Sequence, residues 1–409
     1  MKKIFTIMAL LLSLVAMAQV KPGIEVLRDS GFKQLQGKRV GLITNPTGVD
    51  NNLVSTIDIL AKAPGVRLVA LFAPEHGVRG DVHAGDKVAG SVDKATGVPV
   101  YSIYGKTRKP TPDMLKDVDV LVYDIQDNGC RSFTFISTMG KAMEACAEQG
   151  KKFMVLDRPN PISGTKVEGN IVEDSCFSFV SQYPIPYLYG LTPGELAVYL
   201  NEEGLIGKGK KVELEVVPMD GYSRDMNFRD TGMPWVLPSP HMPVPETCLY
   251  YPASGILGEL YLISIGVGYT EPFKLFCAPW IDAGDLAAKL NARNIPGVRF
   301  RPIHIKPFYS TGKGENYAGV ETYVTDVEKA PLSLIQFYVM EQLAKDYPAQ
   351  GRLFDKATPE RKNMFDKVVG SKNIRRMFTR RYKVADIEEY WNKDNDSFRQ
   401  NSSKYYIYR

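Results

Sequence analysis

The sequence predicts an α/β protein whose first domain is built on a parallel β-sheet. Four apolar segments of strand length each run directly into polar residues, and helical patterns alternate with them between residue 39 and about residue 200. Strands that alternate with helices indicate βαβ units, which place the strands in parallel. In such a sheet ligands bind beyond the carboxyl ends of the strands, so the four polar tips are expected to share one site.

The four predicted strands and their tips follow one another along the chain. They are residues 39–43 before Thr44-Asn45, residues 68–73 before Pro74-Glu75-His76-Gly77, residues 118–123 before Asp124-Ile125-Gln126-Asp127, and residues 153–156 before Asp157-Arg158-Pro159-Asn160.

Helix signals lie between and after these strands. Residues 53–63 are predicted helical behind the possible cap Asp50-Asn51-Asn52, and residues 132–149 are predicted helical up to Gly150, a typical terminating residue. A third helix opens at Thr111-Pro112-Asp113, where Pro takes the first helical position. A fourth begins at Thr192, with Glu195 at the capping-box position.

The pattern changes after a Gly/Lys-rich stretch at residues 207–211. Residues 212–217, 298–305 and 319–325 alternate like half-buried strands, and residues 331–345 read as an amphipathic helix. We therefore predict a Rossmann-like α/β domain over residues 19–206 that carries most of the site. A smaller α+β C-terminal domain over residues 207–409 is expected to contribute to the cleft.

The first 18 residues have the composition of a signal peptide. Lys2-Lys3 precedes an apolar run that ends at Val15, and Ala16-Met17-Ala18 fits the small-x-small cleavage rule, with the cut after Ala18. The run is shorter than the ~20 residues of a spanning helix, and no later segment qualifies. We expect a periplasmic or secreted protein without a membrane span.

The bulk composition excludes some classes of protein. A net charge of +5, or +3 without the two leader lysines (5 − 2 = 3), is too mild to indicate nucleic-acid binding. The five cysteines form no CxxC pair, so buried reduced thiols are expected, with one incidental bridge left open. Neither GxGxxG nor GxxxxGK[ST] occurs, which counts against NAD and ATP, and no cofactor is expected.

Glu75 is the leading candidate for chemistry. A carboxyl at a strand end that meets an apolar environment has a raised pKa and serves as a general acid. The alternative is a carboxylate paired with Arg79 or with loop amides. His76, Asp81 and His83 form a possible metal set, but four histidines in the chain make this the weaker interpretation, and no metal is predicted.

The other strand tips supply further candidates. Asp124 and Asp127 are possible catalytic carboxylates, although one of them is expected to brace Arg131. In the rigid turn at residues 157–161, prolines present Asn160 to a ligand, unless it forms a plain Asx turn. His241, in a Pro-rich loop, suits a sugar face or proton donation, with a structural role as the alternative. The predicted substrate-binding residues are Asn45, His76, Arg79, Gln126, Arg131, Asp157, Arg158, Asn160 and His241.

Several of these blocks, in this order, resemble the exo-β-N-acetylmuramidase family over nearly all of the chain beyond the leader. The residues that carry the resemblance are GLITNPTG at 41–48, PEHG at 74–77 with Arg79-Gly80, DIQD at 124–127 with Gly129 and Arg131, DRPNP at 157–161, and PSP at 238–240. The resemblance implies a Rossmann-like domain plus a C-terminal domain, with the site in the cleft. It also implies release of terminal N-acetylmuramic acid from peptidoglycan fragments, with Glu75 as the leading catalytic carboxylate.

One block departs from the family. Its usual stretch E-G-T-N-L-S-E-G-R-G-T-T-x-P-F falls on residues 259–273, where Leu262, Ile265 and Val267 replace the Asn, the second Glu and the Arg. His241 stands where the family usually has Asn. These changes leave open a divergent branch with another sugar, or one with impaired catalysis.

The expected function is therefore a glycoside hydrolase acting on peptidoglycan sugars. Glu75 is the expected acid, and the second group is Asp124, Asp127, Glu259 or the substrate's own acetamido group. Arg79, Arg131 or Arg158 is expected to bind the lactyl carboxylate. A non-catalytic muropeptide-binding protein and a metal-dependent amidase or esterase remain as alternatives. The expected partner is a peptidoglycan-derived sugar or muropeptide, and the oligomeric state is not predicted.

Overall fold

The structure is a computed structural model that describes residues 19–80, 91–207 and 209–409. The predicted signal peptide at residues 1–18 lies outside the described residues, as do Asp81 and His83. In chain order the first elements are α1 (Gly23–Asp29), β1 (Arg39–Thr44), α2 (Thr56–Lys62), β2 (Arg67–Ala73), β3 (Ser91–Val92), β4 (Pro99–Ser102), α3 (Pro112–Leu115), β5 (Val120–Asp124), α4 (Phe135–Gln149), β6 (Lys152–Leu156), β7 (Val167–Glu168), β8 (Leu188–Tyr189), α5 (Pro193–Glu202) and β9 (Leu214–Val217).

The first sheet has seven strands in the order β3-β4-β2-β1-β5-β6-β9. All neighbours pair in parallel except β3, which is antiparallel to β4. Apolar side chains of α1 and α2 cover one face, and those of α4 and α5 cover the other. Burial on both faces explains the nearly continuous apolar strands of the sequence. The predicted Rossmann-like parallel sheet is confirmed.

The edge strand β9 shows where the sequence pattern was insufficient. Alternation predicts a strand at residues 212–217 and places it in the second domain, but β9 pairs in parallel with β6 and completes the first sheet. The first sheet therefore extends past the predicted boundary at residue 206. A period of two identifies a strand but carries no information about its partner.

Local capping signals were mostly reliable. Thr111 caps α3, and Thr192 with Glu195 forms a capping box at the start of α5. The exception is Asp50, which does not cap a helix. Its Oδ1 accepts from the amides of Asn52 and Val54 in a turn, so α2 begins only at Thr56.

The second domain packs helices against a three-stranded antiparallel sheet in the order β10-β12-β11. The smaller α+β domain is thus confirmed. Its elements are α6 (Thr247–Gly258), β10 (Leu275–Ala278), α7 (Ala283–Ala292), β11 (Val298–Ile305), β12 (Tyr317–Val324), α8 (Ile335–Asp346), α9 (Leu353–Lys356), α10 (Pro359–Val369), α11 (Lys372–Arg381), α12 (Glu388–Asn392) and α13 (Asn395–Ser402).

The sequence did not predict α6, because Pro252 lies inside it and two glycines lie in its last turns. All five cysteines are buried and unpaired, as expected. Among the described helices, none is both long and apolar enough to cross a bilayer.

Arg131 joins the two domains. Its buried guanidinium donates to the carbonyls of Asn170 (2.8 Å) and Ile185 (2.6 Å) in the first half of the chain. It also donates to the carbonyls of Val368 (3.3 Å) and Val369 (2.7 Å), the last two residues of α10. A cation at the C-terminal end of a helix interacts favourably with the negative end of the helix dipole.

This contact corrects the predicted role of Arg131 in substrate binding. Arg131 is 1% exposed, and its donors are used by four protein carbonyls and the Ser181 hydroxyl. Gly370 follows α10 with φ +78°, and a Cβ there would lie 2.5 Å from Nη2 of Arg131, so only glycine fits against the guanidinium.

We expect Arg131→Met to destabilise the whole chain. Each buried carbonyl left without a donor costs roughly 1–3 kcal/mol, so a combined loss of about 3–5 kcal/mol in the free energy of unfolding is expected. Urea unfolding measures it, with Arg352→Met, a more exposed arginine, as the control. Equal urea midpoints for the two variants would show that Arg131 does not hold the domains together.

Candidate active site

A cavity of about 440 Å³ opens between the two domains. One wall carries Glu75 and His76 beyond β2, Tyr104 beyond β4, and the residues that lead into α4. The other wall is the end of α6 with Glu259, followed by the loop of residues 261–267. This volume lies within the usual range for small-molecule sites, and its position at the domain boundary is typical of them.

Glu75 is held by hydroxyl groups on both oxygens. The Tyr104 hydroxyl donates to Oε1 at 2.7 Å, and the Thr134 hydroxyl donates to Oε2 at 3.4 Å. Burial, together with the hydrogen bond to Glu75, raises the pKa of Tyr104, so its hydroxyl keeps its proton and remains a donor. The carboxylate is therefore fixed in orientation at the cavity wall.

Glu259 is the second carboxyl group among the described residues that line the cavity. It follows the last residue of α6, and burial raises its pKa, while the positive charge of Arg361 opposes that shift. Burial chiefly raises the pKa of Tyr251, and the charges of Glu259 and Glu75 add to the effect. The charges of Glu75 and Glu259 thus both raise the pKa of Tyr251, which lines the cavity.

Two histidines complete the polar lining. Burial lowers the pKa of His76, and burial together with the charge of His76 lowers the pKa of His241. Both imidazoles are therefore neutral near pH 7, where each has one donor and one acceptor nitrogen. His241 Nε2 lies 2.7 Å from the Tyr309 hydroxyl, and His76 Nδ1 is buried without a partner among the described residues.

An aromatic cluster forms the apolar part of the lining. Phe133 packs edge-on against Phe135 and Tyr251, with ring centroids 5.0 and 5.7 Å apart. Tyr251 packs in the same way against Phe273 at 4.9 Å. Polar groups beside an aromatic surface are suited to a sugar ring, which has apolar faces and polar edges.

Backbone strain is concentrated around this cavity. Nine described residues other than glycine have positive φ, and four of them line it: His76 (73°), Tyr261 (55°), Phe273 (65°) and Ser310 (64°). Such conformations cost of order 1–3 kcal/mol each and tend to occur at functional sites. Their clustering supports this cavity as the functional site.

Asp124 does not reach the cavity. It is fully buried, and its Oδ1 accepts from Arg158 Nε at 2.5 Å while Oδ2 accepts from the Thr56 hydroxyl at 2.5 Å. This contact corrects the predicted roles of Asp124 in catalysis and Arg158 in carboxylate binding. The charges of Asp124 and Arg158 neutralise each other in the interior of the protein.

Asp127 and Asp157 also serve the fold. Asp127 accepts from the Tyr189 hydroxyl and the Gly129 amide, and burial raises its pKa to about 6. Asp157 accepts from the Gly194 amide at the start of α5, and from the hydroxyls of Thr192 and Tyr408 at 2.7 Å. Neither lines the described cavity.

The remaining predicted binding residues have local partners. Asn45 Oδ1 accepts from the Thr47 amide and Asn160 Oδ1 from the Ile162 amide, so both form Asx turns, the alternative considered for Asn160. Gln126 donates to the carbonyls of residues 127 and 159. Arg79 pairs with Asp93 at 2.6 Å and Asp58 at 3.0 Å.

The structure therefore brings together Glu75, His76, His241 and Glu259. The sequence interpretation missed Tyr104 and Tyr251. Tyr104 was detectable, because the run Val98-Pro99-Val100-Tyr101-Ser102-Ile103-Tyr104 has the composition of a short strand, whereas Tyr251 lies on the unpredicted α6. The metal set of His76, Asp81 and His83 stays untested, since two of its members lie outside the described residues.

Comparison with known proteins gives the family. The N-terminal model of the exo-beta-N-acetylmuramidase NamZ family matches residues 40–246, and its C-terminal model matches residues 249–408. The chain is 45% identical over 390 residues to the peptidoglycan beta-N-acetylmuramidase NamZ of Bacillus subtilis, covering 95% of this chain and 92% of that protein. The chain belongs to the NamZ exo-β-N-acetylmuramidase family.

Two crystal structures of DUF1343 family proteins from Bacteroides fragilis have the same fold. One is 60% identical with a TM-score of 0.92, and the other is 27% identical with a TM-score of 0.76. Each comparison covers 96% of this chain and 99% of the other.

We expect Asp124→Asn to damage stability and not chemistry. Removing one partner leaves the Arg158 charge buried and unpaired, which costs about 3–5 kcal/mol of unfolding free energy. Urea unfolding measures this loss, and turnover per folded molecule is expected to stay within about twofold, far from the ~10²-fold or greater loss typical of an acid or base group. A stable variant without turnover would restore Asp124 to the catalytic candidates.

Proposed function

We propose that this protein is a glycoside hydrolase that releases terminal N-acetylmuramic acid from peptidoglycan fragments. One observation carries the proposal: Glu75 and Glu259, from different domains, line one cavity of sugar size. Family membership and the activity named for the Bacillus subtilis relative support the substrate class. Enzymes that cleave glycosidic bonds commonly use such a pair of carboxyl groups.

The environments of the two carboxyl groups favour distinct roles. Cleavage needs a proton on the leaving oxygen and a second group that attacks, or stabilises, the positive sugar centre. Burial raises the pKa of Glu259, which keeps a proton available at higher pH, so we assign the acid role to Glu259. Glu75 accepts two hydroxyl hydrogen bonds, which suits the second role. This assignment reverses the expectation from sequence.

The substrate's acetamido group remains the alternative second group, since some glycosidases use it in place of a protein nucleophile. In that case Glu75 orients the acetamido nitrogen, and Glu259 remains the acid. His76 and His241, as neutral imidazoles, are placed to hydrogen-bond sugar hydroxyls in either case.

A specific observation favours a second candidate, a non-catalytic muropeptide-binding protein. Ile265 and Val267, which replace the Glu and Arg expected from the family, line the cavity and make that wall apolar. Calorimetric titration with muropeptides beside a product assay separates the two, because a binding protein gives heat of binding without sugar release.

We expect Glu75→Gln and Glu259→Gln each to lower kcat on a muramyl disaccharide by about 10²–10⁴-fold. A dinitrophenyl muramyl glycoside distinguishes the roles, because its leaving group departs without a proton. Glu259→Gln is expected to recover most activity on it, and Glu75→Gln is not.

Glu271→Gln is the matched control, because Glu271 lies in the loop after Glu259 and pairs with Lys274 at the surface. Recovery by Glu75→Gln instead would return the acid role to Glu75. Full activity of both cavity variants on the disaccharide would exclude the carboxylate mechanism.

We also propose export to the periplasm or the medium, on the strength of residues 1–18. Expression in a bacterial host, followed by fractionation and N-terminal sequencing, is expected to give a chain that begins at Gln19 outside the cytoplasm. A cytoplasmic chain that retains Met1 would contradict the proposal.

A further inference from the structure

The proposed substrate carries a charge that the cavity must recognise. N-acetylmuramic acid differs from N-acetylglucosamine by a lactyl ether that ends in a carboxylate. The three arginines expected to bind this carboxylate have other partners: Arg79 pairs with Asp93, Arg131 with protein carbonyls, and Arg158 with Asp124. The cation for the lactyl group therefore has to come from elsewhere.

Arg361 is at the right place. Its guanidinium lies 3.9 Å from the centroid of the Tyr261 ring, and Tyr261 lines the cavity. Tyr261 is 55% exposed, so the pair stands at the cavity rim. The charge of Arg361 also acts on Glu259 inside the cavity. Guanidinium groups stacked on an aromatic ring keep their in-plane donors free for a carboxylate.

The described residues supply no ion-pair partner for Arg361. Its neighbours on the same stretch, Arg352 and Arg375, pair with Asp355 and Asp366, whereas the Arg361 guanidinium lies over the Tyr261 ring. Arginine forms two parallel hydrogen bonds with a carboxylate, a geometry that gives specificity as well as binding energy.

The fold holds this arginine in place. Arg361 lies in the first turn of α10, whose start is capped by the Thr358 hydroxyl and whose inner face buries Phe365 and Val368. The far end of the same helix is bound by Arg131. A guanidinium on an anchored helix loses less conformational freedom when it binds a ligand.

We propose that Arg361 is the residue that selects muramyl over glucosaminyl substrates, by binding the lactyl carboxylate at the cavity rim. This inference rests on the proposed glycosidase function and adds the recognition element to it. The Tyr261 ring supports the guanidinium from one side, and the sugar enters between this rim and the two carboxyl groups. Arg361 acts in binding and does not itself donate or accept the transferred proton.

The test compares two forms of the enzyme on substrates with and without the lactyl carboxylate. The full chain and its Arg361→Gln variant are assayed on a 4-nitrophenyl muramyl glycoside, on its lactyl methyl ester, and on the N-acetylglucosaminyl counterpart. We expect Arg361→Gln to lower kcat/KM for the free acid by about 10–100-fold, the range of one charge-assisted bidentate contact, mainly through KM. The ester and the glucosaminyl substrate are expected to respond less than about threefold.

Two further variants make the result specific. Arg352→Gln is the matched control, because that arginine also stacks on a tyrosine, 5.0 Å from the Tyr382 ring, outside the cavity lining. Lys87→Gln tests a cation close in sequence to Glu75 that lies outside the described residues. The assignment would be overturned if Arg361→Gln lowered kcat/KM equally for the free acid and the methyl ester. It would also be overturned if only Lys87→Gln lowered kcat/KM for the free acid alone.

The proposed function can fail separately. If the unmodified protein hydrolyses none of the glycosides, calorimetry with free N-acetylmuramic acid and N-acetylglucosamine still measures the selectivity of binding. The inference is supported if the protein prefers N-acetylmuramic acid and Arg361→Gln loses that preference. It is refuted if the preference is unchanged in the variant, or if neither sugar binds.

Discussion

The buried contact of Arg131 with the end of α10 is the interaction on which the site depends. The cavity has walls from two domains, so it exists only while those domains keep a fixed relation. A guanidinium offers five donors in a rigid fork, and here it binds carbonyls from both halves of the chain at once. The same helix carries Arg361 in its first turn. One buried cation thus fixes the domain boundary and the helix that presents the proposed recognition residue.

The carboxyl groups of the cavity differ because their walls differ. Glu75 follows a strand of the parallel sheet and accepts from the hydroxyls of Tyr104 and Thr134, whereas Glu259 follows a helix and is half-buried in the cavity lining. These surroundings support the different roles proposed for the two glutamates, since burial raises the pKa of Glu259 while two hydroxyl groups hold the Glu75 carboxylate in orientation. The apolar residues Ile265 and Val267 strengthen this contrast, since they add no charge near Glu259.

The rule that ligands bind beyond the strand ends holds here only in part. The tip of β2 reaches the cavity with Glu75 and His76, whereas the polar tips of β1, β5 and β6 are buried and hydrogen-bonded within the fold. Asp124 neutralises Arg158, and Asp157 binds the start of α5. Buried polar groups must be paired, so a polar strand tip that is buried becomes a structural contact.

The sequence by itself determined the features that depend on neighbours in the chain. Alternating strands and helices, the caps at Thr111 and Thr192, and the family blocks gave the parallel sheet, the second domain and Glu75 as a candidate. Only the tertiary structure decided which polar residues face the cavity, because exposure depends on loops and helices distant in sequence. It buried Asp124, Asp127 and Arg131, brought Glu259 opposite the sheet, and placed Arg361 beside Tyr261. Periodicity records which face of an element is apolar, and it does not record which other element covers that face.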